Sequence, residues 1–394
     1  MSKIVFFCIP AHGHTNPTLG VVRELVSRGH EVLYYSYESF REKIEGAGAK
    51  FIPCDDYDVE QNLKPEDAAR VGKDLAFSTR ILVDTTLALD DMVCKEMQRL
   101  QPDCIVADSM AVWGKAIALK LGIPFVSSTT TFAFNQHSAK IMKQSLGQML
   151  GMIFSMPKIT KDIKRLQDKG YPIQNILDII QNDDRTDTIV YTSPEFQPCA
   201  DTFSDKYAFV GPSVRAAEES IEKKAEKLVY ISMGTVINNN IKFYQNCIKA
   251  LGNTEHQVIM SVGNLIDVRE LGEIPQNFSV HAQVDQIAVL EKADAFLSHC
   301  GMNSVNEGLY YQVPLIMYPQ TSEQGGVATR VEQVGAGLRL KKDSPAAIAE
   351  AVKIVLENKS YQENAGKISQ GFRQCGGAVA AADKILRVCG TDWE

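Results

Sequence analysis

The opening of the chain already commits it to one class of fold. Lys3 to Ile9 is apolar and reads as a buried strand. A polar, glycine-bearing turn follows, Pro10-Ala11-His12-Gly13-His14-Thr15-Asn16-Pro17. Leu19, Val22, Leu25 and Val26 then recur at helical spacing, Arg28-Gly29 stops the helix, and a new strand begins at His30-Glu31-Val32-Leu33-Tyr34-Tyr35. Two strands joined through a helix pair in parallel, because the crossover carries the chain back to the starting edge. The pattern recurs at Asp103 to Asp108, a helix to about Leu121, Gly122-Ile123-Pro124, and the strand Phe125-Val126-Ser127. Between Asn135 and Asp187 the character changes to long amphipathic helical stretches carrying Met142, Met149, Met152 and Met156. Thr188 to Thr192 reads as a strand again.

A chain of 394 residues exceeds one ordinary core, so two domains are expected. Gly211-Pro212-Ser213 stops regular structure, and Arg215 to Lys227 is almost wholly Ala, Glu, Lys and Ser, a composition that suits a solvated linker. A second α/β series then starts at Leu228 to Thr235, with strands at Val258 to Ser261, Phe278 to Val280, Ala295 to Leu297 and Pro314 to Met317. The expected division is 1–212, a linker at 213–227, 228–375, and a C-terminal helix at 376–394 that crosses back to the first domain. Two Rossmann-like, doubly wound α/β domains facing a cleft would bind ligands at the carboxyl ends of their strands. No G-x-G-x-x-G follows the first strand, which disfavours a dinucleotide dehydrogenase.

A net charge of −7 lacks the basic footprint of a nucleic-acid partner. Nine cysteines without a C-x-x-C spacing indicate neither a zinc site nor a redox pair and fit reduced thiols in a cytoplasmic protein. The apolar N-terminal run is too short for a signal sequence, and no segment approaches the length of a membrane span.

The most chemically informative stretch is Ser298-His299-Cys300-Gly301-Met302-Asn303-Ser304-Val305-Asn306-Glu307-Gly308-Leu309. A strand ends on His299, a turn at Gly301 follows, and a helix begins with Asn303 and Ser304. Helix starts carry unpaired backbone N–H groups and suit phosphate. Glu307 stands one turn in, on the face of Asn303, where a carboxylate suits a pair of ribose hydroxyls. The segment reads as a seat for a nucleotide diphosphate with its ribose. Strand–Gly–helix junctions are common, and Asn-Ser is an ordinary cap pair, so a second site carries equal weight. His14 follows the first strand, where an imidazole can take a proton at physiological pH. Asp108 ends another strand and is the carboxylate that would orient it. Taken singly, each also reads as a helix cap. His12 is the near rival of His14, and His30 reads as structural. Gln320, Glu323 and Gln324 suit several sugar hydroxyls or, equally, a helix-capping loop. Asp56-Tyr57-Asp58 and Asp183-Asp184-Arg185-Thr186-Asp187 read as solvated loops rather than metal ligands. No metal ion is expected; His299 and the helix start would carry the diphosphate charge.

Together these segments resemble the inverting nucleotide-sugar glycosyltransferases with two Rossmann-like domains (the GT-B fold), in the bacterial branch that modifies macrolides and other lipophilic small molecules. The resemblance runs through Pro10 to Pro17, Ile105 to Ser109 with Trp113-Gly114, Ser232 to Thr235, Gln283 to Gln286, His299 to Gly308, Val313-Pro314, and Pro319 to Gln324. It implies an acceptor-binding first domain and a nucleotide-sugar-binding second one. It implies His14 as the base and Asp108 behind it; His299, Gly301, Asn303, Ser304 and Thr235 at the diphosphate; and Glu307 at the ribose. Gln283 and Gln286 would lie at the base, and Glu323 and Gln324 at the sugar. UDP is the expected nucleotide, with TDP as the other choice, because Gln283 stands where the family often has a stacking aromatic ring. Asp285 replaces a usual Pro, which would loosen that loop. Thr129 to Phe134 and the Met-bearing helices would wall the acceptor pocket, with Thr131, Phe132, His137 and Met142 contacting a flat, greasy acceptor such as a phenol, flavonoid or macrolide. The expected reaction transfers a sugar, glucose first, from the UDP-sugar co-substrate with inversion and without a cofactor. The alternatives are a nucleotide-sugar epimerase on a similar plan and a non-catalytic nucleotide-sugar-binding protein.

Overall fold

The computed structural model describes residues 1–57, 70, 74–138, 146–180, 185–234 and 238–390. The chain forms two compact units: 1–191 with 199–213 and 376–394, and 192–198 with 214–375.

Unit 1 is built on a seven-stranded sheet in the order β3-β2-β1-β4-β5-β6-β7. The strands are β1 (Lys3–Phe7), β2 (Glu31–Ser36), β3 (Lys50–Pro53), β4 (Cys104–Asp108), β5 (Phe125–Thr129), β6 (Asp187–Val190) and β7 (Tyr207–Phe209). Every pairing is parallel. The central strands are buried on both faces, which is why they read as continuous apolar runs. One face packs Val5, Phe7, Leu33 and Ile105 under the helices Leu75–Leu100 and Val112–Leu121. The other packs Ile4, Phe6, Val32 and Val106 against the helix His12–Ser27. The C-terminal helix Gly377–Val388 closes that second face through Ala381, Ala382, Ile385 and Leu386. It is held by ion pairs from Arg28 to Asp383 at 2.5 Å and from Lys384 to Asp187 at 2.6 Å.

From β1 the chain builds outward through β2 and β3, then returns to lay β4 on the other side of β1. The loops leaving β1 and β4 therefore diverge, and a crevice opens at their carboxyl ends.

Unit 2 repeats the plan with six parallel strands in the order β10-β9-β8-β11-β12-β13. These are β8 (Leu228–Ser232), β9 (Gln257–Ser261), β10 (Phe278–His281), β11 (Ala295–Ser298), β12 (Leu315–Met317) and β13 (Gly337–Arg339). Its reversal of strand order falls between β8 and β11, where Ser232 is register partner to Ser298. The loops after these two strands are the diverging pair of this unit.

Three expectations about organisation need correction. Residues 192–198 leave unit 1 and join unit 2 before the chain returns at 199. Phe196 packs edge-on against Phe372 at 5.9 Å, and Arg330 donates to the carbonyls of Glu195 and Phe196. Secondly, the charged stretch after Pro212 is no free spacer. Lys223 and Lys227 pair with Asp294, and Gln257 accepts from the backbone N–H of Lys224 and donates to the carbonyl of Glu222. Thirdly, Asp285 does not loosen its loop. Its carboxylate caps the helix Gln286–Leu290 by accepting from the N–H of Ile287, pairs with Arg215 at 2.5 Å, and accepts from the N–H groups of Glu218 and Glu219. Burial pushes this carboxyl up, but Arg215 and the two N–H groups outweigh it and hold it at about 2.

Candidate functional site

In unit 1 the diverging loops carry the two residues picked out from the sequence. β1 and β4 are neighbours with Phe7 opposite Ala107, so Asp108 stands at the sheet edge beside the segment that leads into the helix His12–Ser27. His14 lies in the first turn of that helix and reaches across. Its Nδ1 is 2.8 Å from Asp108 Oδ2. The Asp108 side chain is fully buried, and that of His14 is 21% exposed. Asp108 is not the cap of the following helix, whose N-cap is Ala111 without a side-chain bond. Its Oδ1 instead accepts from the N–H of Met110 at 2.8 Å, which fixes the carboxylate plane.

An ionised carboxylate only accepts hydrogen bonds. A proton on Nδ1 then points at Asp108, and Nε2 presents its lone pair. The Thr130 hydroxyl lies 3.2 Å from the same Nδ1. Sequence reasoning placed Thr130 only among the acceptor walls and missed this contact, although its place just beyond β5, the strand next to β4, was a usable signal. His12 faces elsewhere: its ring meets Phe40 edge-on at 4.9 Å, and burial followed by the Lys43 charge lowers its pKa. His30 is structural, accepting from the N–H of Ser2 through Nδ1.

In unit 2 the loops after β8 and β11 meet around His299. Gly234 has φ of +77°, and a Cβ there would sit 2.5 Å from His299 Cε1. A Cβ on Gly301 would sit 2.5 Å from His299 Nε2. The imidazole thus occupies a slot that exists because both neighbours lack side chains. Its Nδ1 is buried without a hydrogen-bond partner. Burial lowers its pKa to about 4, against a smaller opposing effect of the Ser232 backbone. With its pKa so lowered, His299 is neutral at physiological pH and offers hydrogen bonding rather than charge. The compensating field falls to the helix Met302–Tyr310, whose N-cap is Gly301, a residue with no side chain to spend on the first-turn N–H groups.

Asn303 and Ser304 open this helix, and Glu307 follows one turn later, all half-buried. Gln286, the first residue of the helix capped by Asp285, reaches over: its Nε2 donates to Glu307 at 2.5 Å and lies 3.5 Å from Ser304 Oγ. Its Oε1 accepts from the Tyr230 hydroxyl at 3.1 Å. Burial raises the Glu307 carboxyl to about 6, with Gln286 and Arg215 pulling the other way. Three residues chosen from a linear pattern, Gln286, Ser304 and Glu307, thus form one connected polar group, joined by Tyr230.

Other predicted positions are distributed differently. Gln283 is exposed in the loop before Asp285. Gln324 spends its side-chain oxygen on the N–H groups of Gln320 and Thr321, completing a capping box with Thr321. Of the two roles open to it, capping is the one its oxygen performs. Glu323 is exposed beside it. Thr131 is half-buried, and Phe132 is only 5% exposed. His137 is exposed in a turn capped by the Asn135 side chain. Thr235, Met142, Asp58, Asp183 and Asp184 lie outside the described residues, as do the side chains of Met149 and Met152. Asp187 is bound to Lys206 and Lys384. Among the described residues, no helix is long and apolar enough to cross a membrane.

Comparison with known proteins identifies the family. The family model described as "UDP-glucoronosyl and UDP-glucosyl transferase" matches residues 198–374. An uncharacterized UDP-glucosyltransferase of Bacillus subtilis, YojK, is 34% identical, with 98% of this chain and 97% of that protein covered. The NDP-glycosyltransferase YjiC of Bacillus licheniformis is 33% identical, with 97% and 96% covered. Among solved structures, the calicheamicin glycosyltransferase CalG4 superposes with a TM-score of 0.83 at 27% identity, covering 99% of this chain and 98% of that one. With two parallel doubly wound sheets, each carrying polar groups at its reversal of strand order, the chain belongs to the UDP-glucoronosyl and UDP-glucosyl transferase family and is a glycosyltransferase of the GT-B fold.

Proposed function

We propose that this enzyme transfers a sugar, glucose in the first instance, from UDP to a hydroxyl of a lipophilic small molecule, with inversion at the anomeric carbon. The observation that carries the reading is the 2.8 Å contact of His14 Nδ1 with the buried carboxylate of Asp108. Asp108 holds the ring in the tautomer whose Nε2 is basic, and it stabilises the imidazolium once the acceptor proton has been taken. The deprotonated oxygen attacks the anomeric carbon from the face opposite the diphosphate. An α-linked donor then yields a β-glycoside, and UDP departs with the bonding electron pair.

Unit 2 holds the leaving group on this reading. The first-turn N–H groups of the helix Met302–Tyr310, with Asn303, Ser304 and neutral His299, receive the diphosphate. Glu307 accepts from the ribose hydroxyls, Gln286 meets the base, and Glu323 with the amide nitrogen of Gln324 meets the sugar. Charge on the leaving group is met by the helix field and hydrogen bonds, so the proposed transfer needs no metal. The family and the names of the relatives support the donor class. An oleandomycin glycosyltransferase of Streptomyces antibioticus, 27% identical, supports a natural-product acceptor. Thr131 and His137 remain the proposed acceptor contacts.

The test is incubation with UDP-glucose and a panel of phenols, flavonoids and macrolides, read by mass spectrometry. A hexose added to an acceptor is the expected result. An isomerised donor with no acceptor product would overturn the proposal.

A further inference from the structure

The loop before Gln286 presents an exposed Gln283 and no ring to receive a nucleobase. The neighbouring aromatic side chains do not supply one. Tyr230 and Phe296 stack on each other at 4.7 Å and are buried, so Tyr230 reaches the group only through its hydroxyl. The planar group that does stand there is the guanidinium of Arg215. It is anchored at its edge: Nη2 donates to Asp285 Oδ1 at 2.5 Å, and Nη1 donates to the carbonyl of Ala216 at 2.8 Å. Its partner Asp285 is only 6% exposed and is itself fixed by the N–H groups of Glu218, Glu219 and Ile287. Arg215 nevertheless leaves 42% of its side chain open. Asp285 immediately precedes Gln286, whose amide touches Glu307. The Arg215 charge is felt at Glu307, and that of Glu307 at Arg215.

We infer that Arg215 is the platform for the donor's base, its guanidinium plane stacking on the ring while Asp285 holds its edge. The inference rests on the reading of Glu307 as the ribose ligand, since the base then projects past Gln286 toward Arg215. A guanidinium edge-locked by a carboxylate is a preorganised flat cation, and such planes stack on nucleobases. Every base has a π-face, so this recognition discriminates weakly between pyrimidines. For the pyrimidine nucleoside diphosphates of the proposed function, it implies UDP and TDP bound to within a few-fold of each other.

The experiment measures dissociation constants by calorimetry for UDP, TDP and ribose 5-diphosphate, on wild type, Arg215→Ala and Arg215→Lys. Both substitutions should weaken UDP and TDP by about tenfold, within the range that loss of one base stack brings. The Lys variant, which keeps the charge felt at Glu307, should leave ribose 5-diphosphate unchanged. The Lys variant is decisive, because it keeps the charge beside Asp285 and loses only the plane. UDP binding of wild-type strength in the Lys variant would overturn the inference and leave the donor-site proposal intact. Equal weakening of UDP and ribose 5-diphosphate would overturn it too, by making Arg215 a strap rather than a platform. Failure of the wild-type protein to bind UDP at all would instead refute the donor site on which the inference stands.

Discussion

Glu307 is the residue whose proposed role sets stability against function most sharply. Its carboxyl is raised from 4.5 to about 6, chiefly by burial. At about 1.4 kcal/mol per pH unit, that difference corresponds to roughly 2 kcal/mol. The sign follows from linkage. In the folded state the group holds its proton to a higher pH than in the unfolded chain, so between 4.5 and about 6 the native state binds more protons. Stability therefore falls as pH rises through that window, and above it the ionised carboxylate burdens the fold by the full amount. Glu307→Gln removes the burden while keeping an oxygen to accept from Gln286. The unit 2 transition of the variant should melt higher than wild type by about 4–8 °C at pH 7.5 and at the same temperature at pH 4.5. Comparing the two proteins at each pH cancels other titrating groups, including His299, whose lowered pKa works in the opposite sense. The same substitution should weaken UDP binding at pH 7.5 by tenfold or more, because the acceptor of the ribose hydroxyls loses its charge. Scanning calorimetry at the two pH values and titration with UDP decide the matter. An equal melting difference at both pH values, or a variant that binds UDP as wild type does, would refute the reasoning.

Gly234→Ala should destabilise unit 2 by at least about 1–2 kcal/mol from the left-handed backbone alone. It should also lower UDP affinity, since the new methyl displaces His299; calorimetry and titration read both effects, and an unchanged affinity would contradict the proposed role of His299. Transfer activity should survive EDTA, measured as product per minute before and after chelation, and a complete loss reversed by Mg²⁺ would contradict a diphosphate site served by the helix start and hydrogen bonds.

The strands at the centre of each sheet were legible because burial on both faces leaves unbroken apolar runs, as in Leu228–Ser232. The strands that escaped were β3, β7 and β13, edge strands of three or four residues, too short to show a period. The pairing of His14 with Asp108 was legible for a topological reason: both follow from strand ends that a parallel sheet sets side by side. What local reading cannot supply is a partner at long range. Asp285 looked like a loosening substitution because the Arg215 guanidinium and the Glu218 and Glu219 N–H groups that fix it lie well over sixty positions earlier. The passage of 192–198 into unit 2 leaves no mark in composition. The charge state of His299 depends on how deeply the glycines at 234 and 301 let it sink, which is a property of packing.

The central claim is that proton removal and donor grip are separate tasks performed by separate units. His14→Ala tests it in one protein, with glucosyl transfer followed by mass spectrometry and UDP affinity by calorimetry. The account predicts a fall in transfer of two to four orders of magnitude, the usual worth of a positioned base, with UDP affinity within about twofold of wild type. Transfer at the wild-type rate would contradict it.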